Sequence, residues 1–85
     1  MGLTLEEFYN SHKILSIFKV KSIIVNGNSA YGDTEIIKAS GISKGDSIFS
    51  VNIDISQEAV SSLGRISWVK ITRSVPSKIV IDVEE

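Results

Sequence analysis

The sequence lacks the side chains that most enzyme and metal sites need. It has no cysteine, which excludes disulfide bonds and thiolate chemistry. Its one histidine, His12, has no carboxylate or cysteine at ligand spacing, so a surface histidine is a better interpretation than a catalytic or metal-bound one. Gly41 and Gly45 enclose three residues and lack the Lys-Ser/Thr pair of a phosphate-binding loop. We therefore expect no catalysis, cofactor, metal or small-molecule substrate.

Long apolar runs and an excess of one charge are also missing. No stretch of about eighteen apolar residues could span a membrane, and the N-terminus has no signal-peptide pattern. The formal net charge is −1, which gives no electrostatic reason to expect nucleic acid or anionic lipid as a partner. The length of 85 residues indicates one domain, and the Met-Gly start is compatible with a fragment of a longer protein.

The last twenty residues carry the strongest structural pattern. The run 66–73 places Val69, Ile71 and Arg73 on one side and Trp68, Lys70 and Thr72 on the other. In the next run, Ile79, Ile81 and Val83 alternate with Val80, Asp82 and Glu84. Alternation with a period of two is typical of half-buried strands, and the only proline, Pro76, lies in the loop between them. The pattern predicts a β-hairpin that upstream elements must cover.

The upstream chain predicts one strand and two helices. The strand runs from Phe18 to Val25, with a bend near Lys21 where the apolar spacing slips by one. The first helix is predicted over 33–40, with Asp33 at its N-terminus and Gly41 as its stop. The second is predicted over 54–63, with a capping box formed by Asp54 and Gln57 and with Gly64 as its end. Residues 4–15 fit a short helix of about three turns, but a partly frayed leader over residues 1–17 is the favoured interpretation. The order is βααββ, an α+β domain with two helices on one face of a three-stranded sheet.

Two surfaces of this sheet are candidate partner-binding sites. Ile24, Trp68 and Val80 are predicted to face away from the helices and to form an exposed apolar cluster. Alternatively, Trp68 packs on Lys70 or on the leader as ordinary cover. The second surface is the free edge of the strand over 66–73, where Lys70 and Arg73 either assist pairing with a partner strand or prevent it. The candidate partner-binding residues are therefore Ile24, Trp68, Lys70, Thr72, Arg73 and Val80.

An ordered set of residues from Phe18 to Glu84 resembles a known family. The set comprises Phe18, Val20, Ile23, Val25, Gly27, Asn28, Glu35, Ile36, Ser40, Gly41, Ile42, Gly45, Asp46, Ile48, Phe49, Val51, Leu63, Ile71, Arg73, Pro76, Ile79, Ile81, Val83 and Glu84. It resembles the FtsQ-type POTRA domain of the bacterial division proteins FtsQ and DivIB. Two departures are Gly32, where a Ser or Thr helix cap is usual, and Gly64-Arg65, where a Pro-Trp pair is common. Gly32 predicts a late or frayed start of the first helix, with Asp33 compensating.

The resemblance implies a fold and a function. It implies a mixed sheet in the order 1-3-2, which would place Val80 between Ile24 and Trp68. It further implies a single-pass membrane protein in which residues 1–17 connect a transmembrane helix to an extracytoplasmic POTRA domain over 18–85. The implied function is non-catalytic docking of other membrane-anchored division proteins in septum formation. One alternative is a POTRA domain of outer-membrane assembly or secretion that binds substrate by β-augmentation. A more distant alternative is a KH-like nucleic-acid binder, against which the Gly-X-X-X-Gly spacing and the net charge both argue.

Overall fold

Two helices and a three-stranded sheet form the domain, as predicted. The computed structural model describes residues 2, 4, 5 and 17–85. The elements are β1 (Ser22–Asn26), α1 (Asp33–Ser40), α2 (Ile53–Ser61), β2 (Trp68–Ser74) and β3 (Lys78–Glu84). The sheet order β1-β3-β2 confirms the predicted topology. His12 and most of the helix predicted over 4–15 lie outside the described residues.

Strand β3 is the centre of the sheet. It pairs in parallel with β1 and antiparallel with β2, so its backbone is hydrogen-bonded on both sides. Its inward side chains are Ile79, Ile81 and Val83, all of which are buried. The rest of the buried apolar core is Val20, Ile36, Ile42, Ile48, Val51, Val60 and Ile71. Each such side chain contributes roughly 1.5–3 kcal/mol on burial, so this one inner face holds the fold together.

The chain changes its pairing partner at the entrance to β1. Residues before the strand pair with a loop, because Lys19 bridges to Ser47 and the N–H of Val20 donates to the carbonyl of Asp46 at 2.8 Å. The N–H groups of Lys21 and Ser22 then both donate to the carbonyl of Ser77, at 2.8 and 3.3 Å. The bend predicted near Lys21 is this change of partner. Regular strand consequently begins at Ser22, four residues later than predicted.

Helix α1 has the predicted bounds but a different N-terminal arrangement. The N–H of Gly32 donates to Glu35 Oε1 at 3.2 Å, which is the bond that the third helical residue makes in a capping box, while Gly32 has no side chain to accept from the first N–H groups of the helix. The Asp33 carboxylate instead accepts from Asn28 Nδ2 at 2.8 Å. The helix therefore starts without delay at Asp33, and Gly41 ends it in the left-handed conformation, with φ 74°.

Helix α2 differs from the prediction at both ends. Asn52 is the N-cap, because its Oδ1 accepts from the N–H of Ile55 at 3.1 Å. The predicted capping box of Asp54 and Gln57 is therefore wrong. The predicted end at Gly64 is also wrong, since the helix ends at Ser61 and is followed by the C-cap Ser62. Asn52 precedes the apolar periodicity by one residue, which is the position that an N-cap takes.

Gly27 ends β1 against the backbone of β3. Its φ is 88°, and a Cβ added there would lie 2.0 Å from the carbonyl oxygen of Val83. A side chain at this position would thus require both an unfavourable backbone conformation and displacement of the central strand. Only glycine fits this exit.

Replacing Gly27 with alanine is predicted to lower the free energy of unfolding by about 2–4 kcal/mol. The matched control is Gly64→Ala, because no atom lies within 4 Å of an added Cβ at Gly64 and its φ is not positive. We expect the control to stay within about 0.5 kcal/mol of the parent chain. Urea unfolding monitored by circular dichroism measures both. Equal stabilities of the two variants would contradict the close approach of β1 and β3.

The Glu85 side chain fastens the end of β3 to the loop before α1. Its Oε2 accepts from the N–H of Ser29, the hydroxyl of Ser29 and the N–H of Ala30, at 3.0, 2.7 and 2.8 Å. Its Oε1 accepts from the N–H of Tyr31 at 3.2 Å. These hydrogen bonds lower the pKa of Glu85 from 4.5 to about 2, and the bond from the N–H of Ala30 has the largest effect. The ionised carboxylate thus joins two segments that are far apart in sequence.

The low pKa of Glu85 predicts a stability contribution that depends on pH. A carboxyl whose folded pKa is lowered stabilises the fold above its unfolded value of 4.5 and loses that contribution as pH falls toward about 2. Glu85→Gln should lower the melting temperature at neutral pH, and the difference from the parent chain should shrink across this window. Glu84→Gln is the matched control. It makes the same charge change at the neighbouring residue, whose side chain points to the opposite side of the sheet from the loop that Glu85 binds. A pH-independent difference for Glu85→Gln would contradict the assignment.

Candidate functional site

The helices leave one face of the sheet uncovered. We call this surface the outer face and define it by the even-numbered residues of the three strands. Strand register arranges them in four rows across the sheet: Ser22, Lys78 and Ser74 in the first, Ile24, Val80 and Thr72 in the second, Asn26, Asp82 and Lys70 in the third, then Glu84 and Trp68. Five of the six candidate residues therefore lie on a single surface.

The row of Ile24, Val80 and Thr72 is the most apolar of the outer face. Ile24 and Val80 are direct neighbours in the parallel ladder, and Thr72 is opposite Val80 in the antiparallel one. Ile24 is 41% exposed, a large fraction for a strand isoleucine, while Val80 is half-buried. This row provides a small apolar contact area for a partner.

Trp68 does not join that apolar row. It is 48% exposed and lies opposite Glu84, whereas the residue opposite Val80 is Thr72. One row of the sheet, that of Asp82 and Lys70, lies between Trp68 and Val80, so the two residues are about 13 Å apart along the strands. The prediction of a continuous cluster of Ile24, Val80 and Trp68 is therefore wrong. The predicted strand order is confirmed, but the antiparallel register pairs Trp68 with Glu84, at the end of β3.

A polar row separates the two apolar parts of the outer face. Asn26 Nδ2 donates to Asp82 Oδ1 at 3.0 Å, and Lys70 lies directly opposite Asp82 in the antiparallel ladder. Opposite charges at such cross-strand positions stabilise a sheet modestly. The outer face thus offers a partner an apolar strip, a charged row and an exposed indole in that order.

Arg73 lies on the inner side of the sheet, apart from the other candidates. Its Nε donates to the carbonyl of Ile48 at 3.0 Å, and its guanidinium also donates to the carbonyl of Val51. These bonds fasten the segment between the helices to β2. A shallow groove lies beside the guanidinium, lined in part by Phe49, Asn52 and Asp54.

The free edge of β2 is closed at its midpoint. The N–H of Ile71 points away from β3 and donates to Gln57 Oε1 at 2.9 Å. By the alternation of an antiparallel ladder, the backbone groups of Val69 and Arg73 face this same edge. A partner strand pairing along β2 would have to displace Gln57.

Sequence reasoning missed the role of Gln57. The residue lies four positions after Ile53 and three before Val60, which places it on the inward stripe of α2. A polar residue on an inward stripe indicates a partner inside the fold, and that signal was available. We instead interpreted it as half of a capping box.

The described part of the chain has neither a metal-binding cluster nor a membrane-spanning helix. Among residues 2, 4, 5 and 17–85, no three His, Cys, Asp or Glu side chains come close enough together to hold a metal ion. The helices in this part of the chain are too short and too polar to cross a membrane.

A known protein family matches the segment of the chain that has this geometry. The family model described as POTRA domain, FtsQ-type, matches residues 18–85, the segment that forms the βααββ unit. The chain belongs to the FtsQ-type POTRA family. Searches of curated proteins and of solved structures found no match. POTRA domains of this type are extracytoplasmic parts of membrane division proteins and act as non-catalytic protein-interaction modules.

Proposed function

We propose that this FtsQ-type POTRA domain docks other membrane-anchored proteins of the bacterial division machinery in septum formation. The parent protein is FtsQ- or DivIB-like, and residues 1–17 connect the domain to a single transmembrane helix. The proposal rests on the family match over 18–85 together with the uncovered outer face.

The outer face is the main docking surface in this proposal. The exposed row of Ile24, Val80 and Thr72 provides apolar contact area, and Lys70 and Trp68 provide polar and aromatic contacts beyond it. Arginine, tyrosine and tryptophan side chains supply much of the binding energy in protein interfaces, so Trp68 is the expected aromatic anchor.

The edge of β2 takes a smaller part in docking. Because Gln57 already accepts the hydrogen bond of the Ile71 N–H, an added strand gains little at the midpoint of this edge. Its contribution is limited to the backbone groups of Val69 and to Arg73, whose guanidinium is engaged with loop carbonyls.

An NMR titration of the isotope-labelled chain with extracytoplasmic segments of other single-pass division proteins tests the proposal. We expect shifts for Ile24, Val80, Thr72 and Trp68 and none along the exposed side of α2. Ile24→Glu should weaken binding about ten-fold, the effect of losing about 1.4 kcal/mol.

The matched control is Ile55→Glu, because Ile55 is an exposed isoleucine on α2, outside the outer face. It should bind like the parent chain. Trp68→Ala should bind more weakly while keeping the native melting transition, since an exposed ring costs far less to remove than the ~3–5 kcal/mol of a core tryptophan. Equal losses for Ile24→Glu and Ile55→Glu, or shifts confined to α2, would contradict docking by the outer face.

A further inference from the structure

Charged side chains are segregated between the two ends of the sheet. We call the end where β1 and β3 begin the positive end and define its basic residues as Lys19, Lys21, Lys44, Arg73 and Lys78. Backbone contacts bring them together: the N–H of Gly45, next to Lys44, donates to the carbonyl of Val20, and the N–H of Lys21 donates to the carbonyl of Ser77. Lys78 pairs with both Ser22 and Ser74, across the whole width of the sheet.

Acidic residues dominate the opposite end. Asp33, Glu35, Asp82, Glu84 and Glu85 lie there, where β1 and β3 finish and α1 starts, together with Arg65 and Lys70. The positive end has two carboxylates of its own, Asp46 and Asp54, and Asp46 already accepts from the N–H of Ser43 at 3.0 Å. In the described part of the chain, the positive end thus has five basic residues and two carboxylates, and the acidic end has five carboxylates and two basic residues.

Exposed apolar side chains also lie on segments that meet at the positive end. Phe49 is 60% exposed, and its ring packs at 5.2 Å against that of Phe18. Ile17 and Val75 are exposed as well, at the chain entry and in the β2–β3 turn. Ile55 is exposed on the first turn of α2. These side chains project from four separate segments, each beside a change of chain direction or a helix start.

We propose that the positive end binds the surface of an anionic phospholipid membrane. Clustered lysines attract anionic headgroups, at about 1 kcal/mol for each basic residue near the surface. Apolar side chains on separate projections suit shallow insertion into an interface, whereas a peptide partner would be better served by a continuous groove. The N-terminal part of the chain also enters the domain at this end, through Ile17. Lys78 is the one basic residue of the positive end that also belongs to the outer face, whereas Lys21 and Lys44 lie outside that face. This inference therefore goes beyond the proposed function and stands without it.

Vesicle flotation of the full chain tests this inference. The probes are vesicles of phosphatidylcholine alone and of phosphatidylcholine with phosphatidylglycerol in equal parts. We expect binding to the anionic vesicles only, decreasing steeply as salt is raised because surface charges are then screened. K21Q and K44Q should each lower the partition coefficient about five-fold, the equivalent of about 1 kcal/mol.

Matched variants distinguish vesicle binding by the positive end from vesicle binding by other parts of the chain. Lys70→Gln makes the same charge change at the acidic end and should bind vesicles like the parent chain. Phe49→Ser should weaken binding, whereas Trp68→Ser, the same change at the other exposed aromatic, should not. Every variant contains the same residues 1–17, so a difference between matched variants cannot come from that segment. Unchanged thermal melting confirms that each variant is folded.

Several outcomes would overturn the inference. Absence of binding to anionic vesicles at low salt would do so, as would equal binding to neutral vesicles. Equal losses for K21Q and K70Q would show that total charge, not the positive end, governs binding. Tighter, salt-dependent binding to single-stranded RNA than to vesicles would instead assign the lysines to a nucleic acid. None of these outcomes bears on protein docking by the outer face, which the NMR titration tests separately.

Discussion

Every other element is placed by the pairing of β3 with strands on both of its sides. Its parallel partner β1 and its antiparallel partner β2 align three rows of inward apolar side chains beneath the two helices. Because side chains alternate along each strand, burying Ile79, Ile81 and Val83 necessarily turns Val80, Asp82 and Glu84 outward. The same register that fills the core therefore determines the composition of the outer face.

The surfaces of the domain differ in exposure and charge because a different part of the helix and strand packing determines each one. Within residues 17–85 the outer face is uncovered, since both helices lie on the other side. The β2 edge is nearly covered, because α2 runs alongside it and Gln57 reaches the Ile71 amide. The two ends differ in charge because both parallel strands begin beside lysines and finish beside carboxylates. The outer face is accordingly proposed to contact a protein, and the positive end a membrane.

Local patterns in the sequence predicted the elements and their order, since period-two alternation and helical stripes are encoded over a few residues. The bounds of α1 and the cap at Gly41 were predictable for the same reason. Relations between distant residues were not. The distance of Trp68 from Val80 depends on the register across the hairpin, and the Glu85 carboxylate binds a loop more than fifty positions away. A net charge near zero also gave no indication that the charges would be separated by the parallel pairing of β1 with β3.

Native-state hydrogen exchange of individual amides tests most directly whether this sheet has a closed edge and an open face. The amides of Ile79, Ile81 and Val83 should exchange only through global unfolding, because β3 is paired on both sides. At the β2 edge, the Ile71 amide should exchange about five-fold or more slowly than those of Val69 and Arg73, since it alone of the three donates to Gln57. Gln57→Ala should remove that difference. Equal exchange rates at Val69, Ile71 and Arg73 in the parent chain would contradict this account, because they would mean that the β2 edge is open along its whole length. Pairing of a partner strand with β2 would then be the favoured mode of docking.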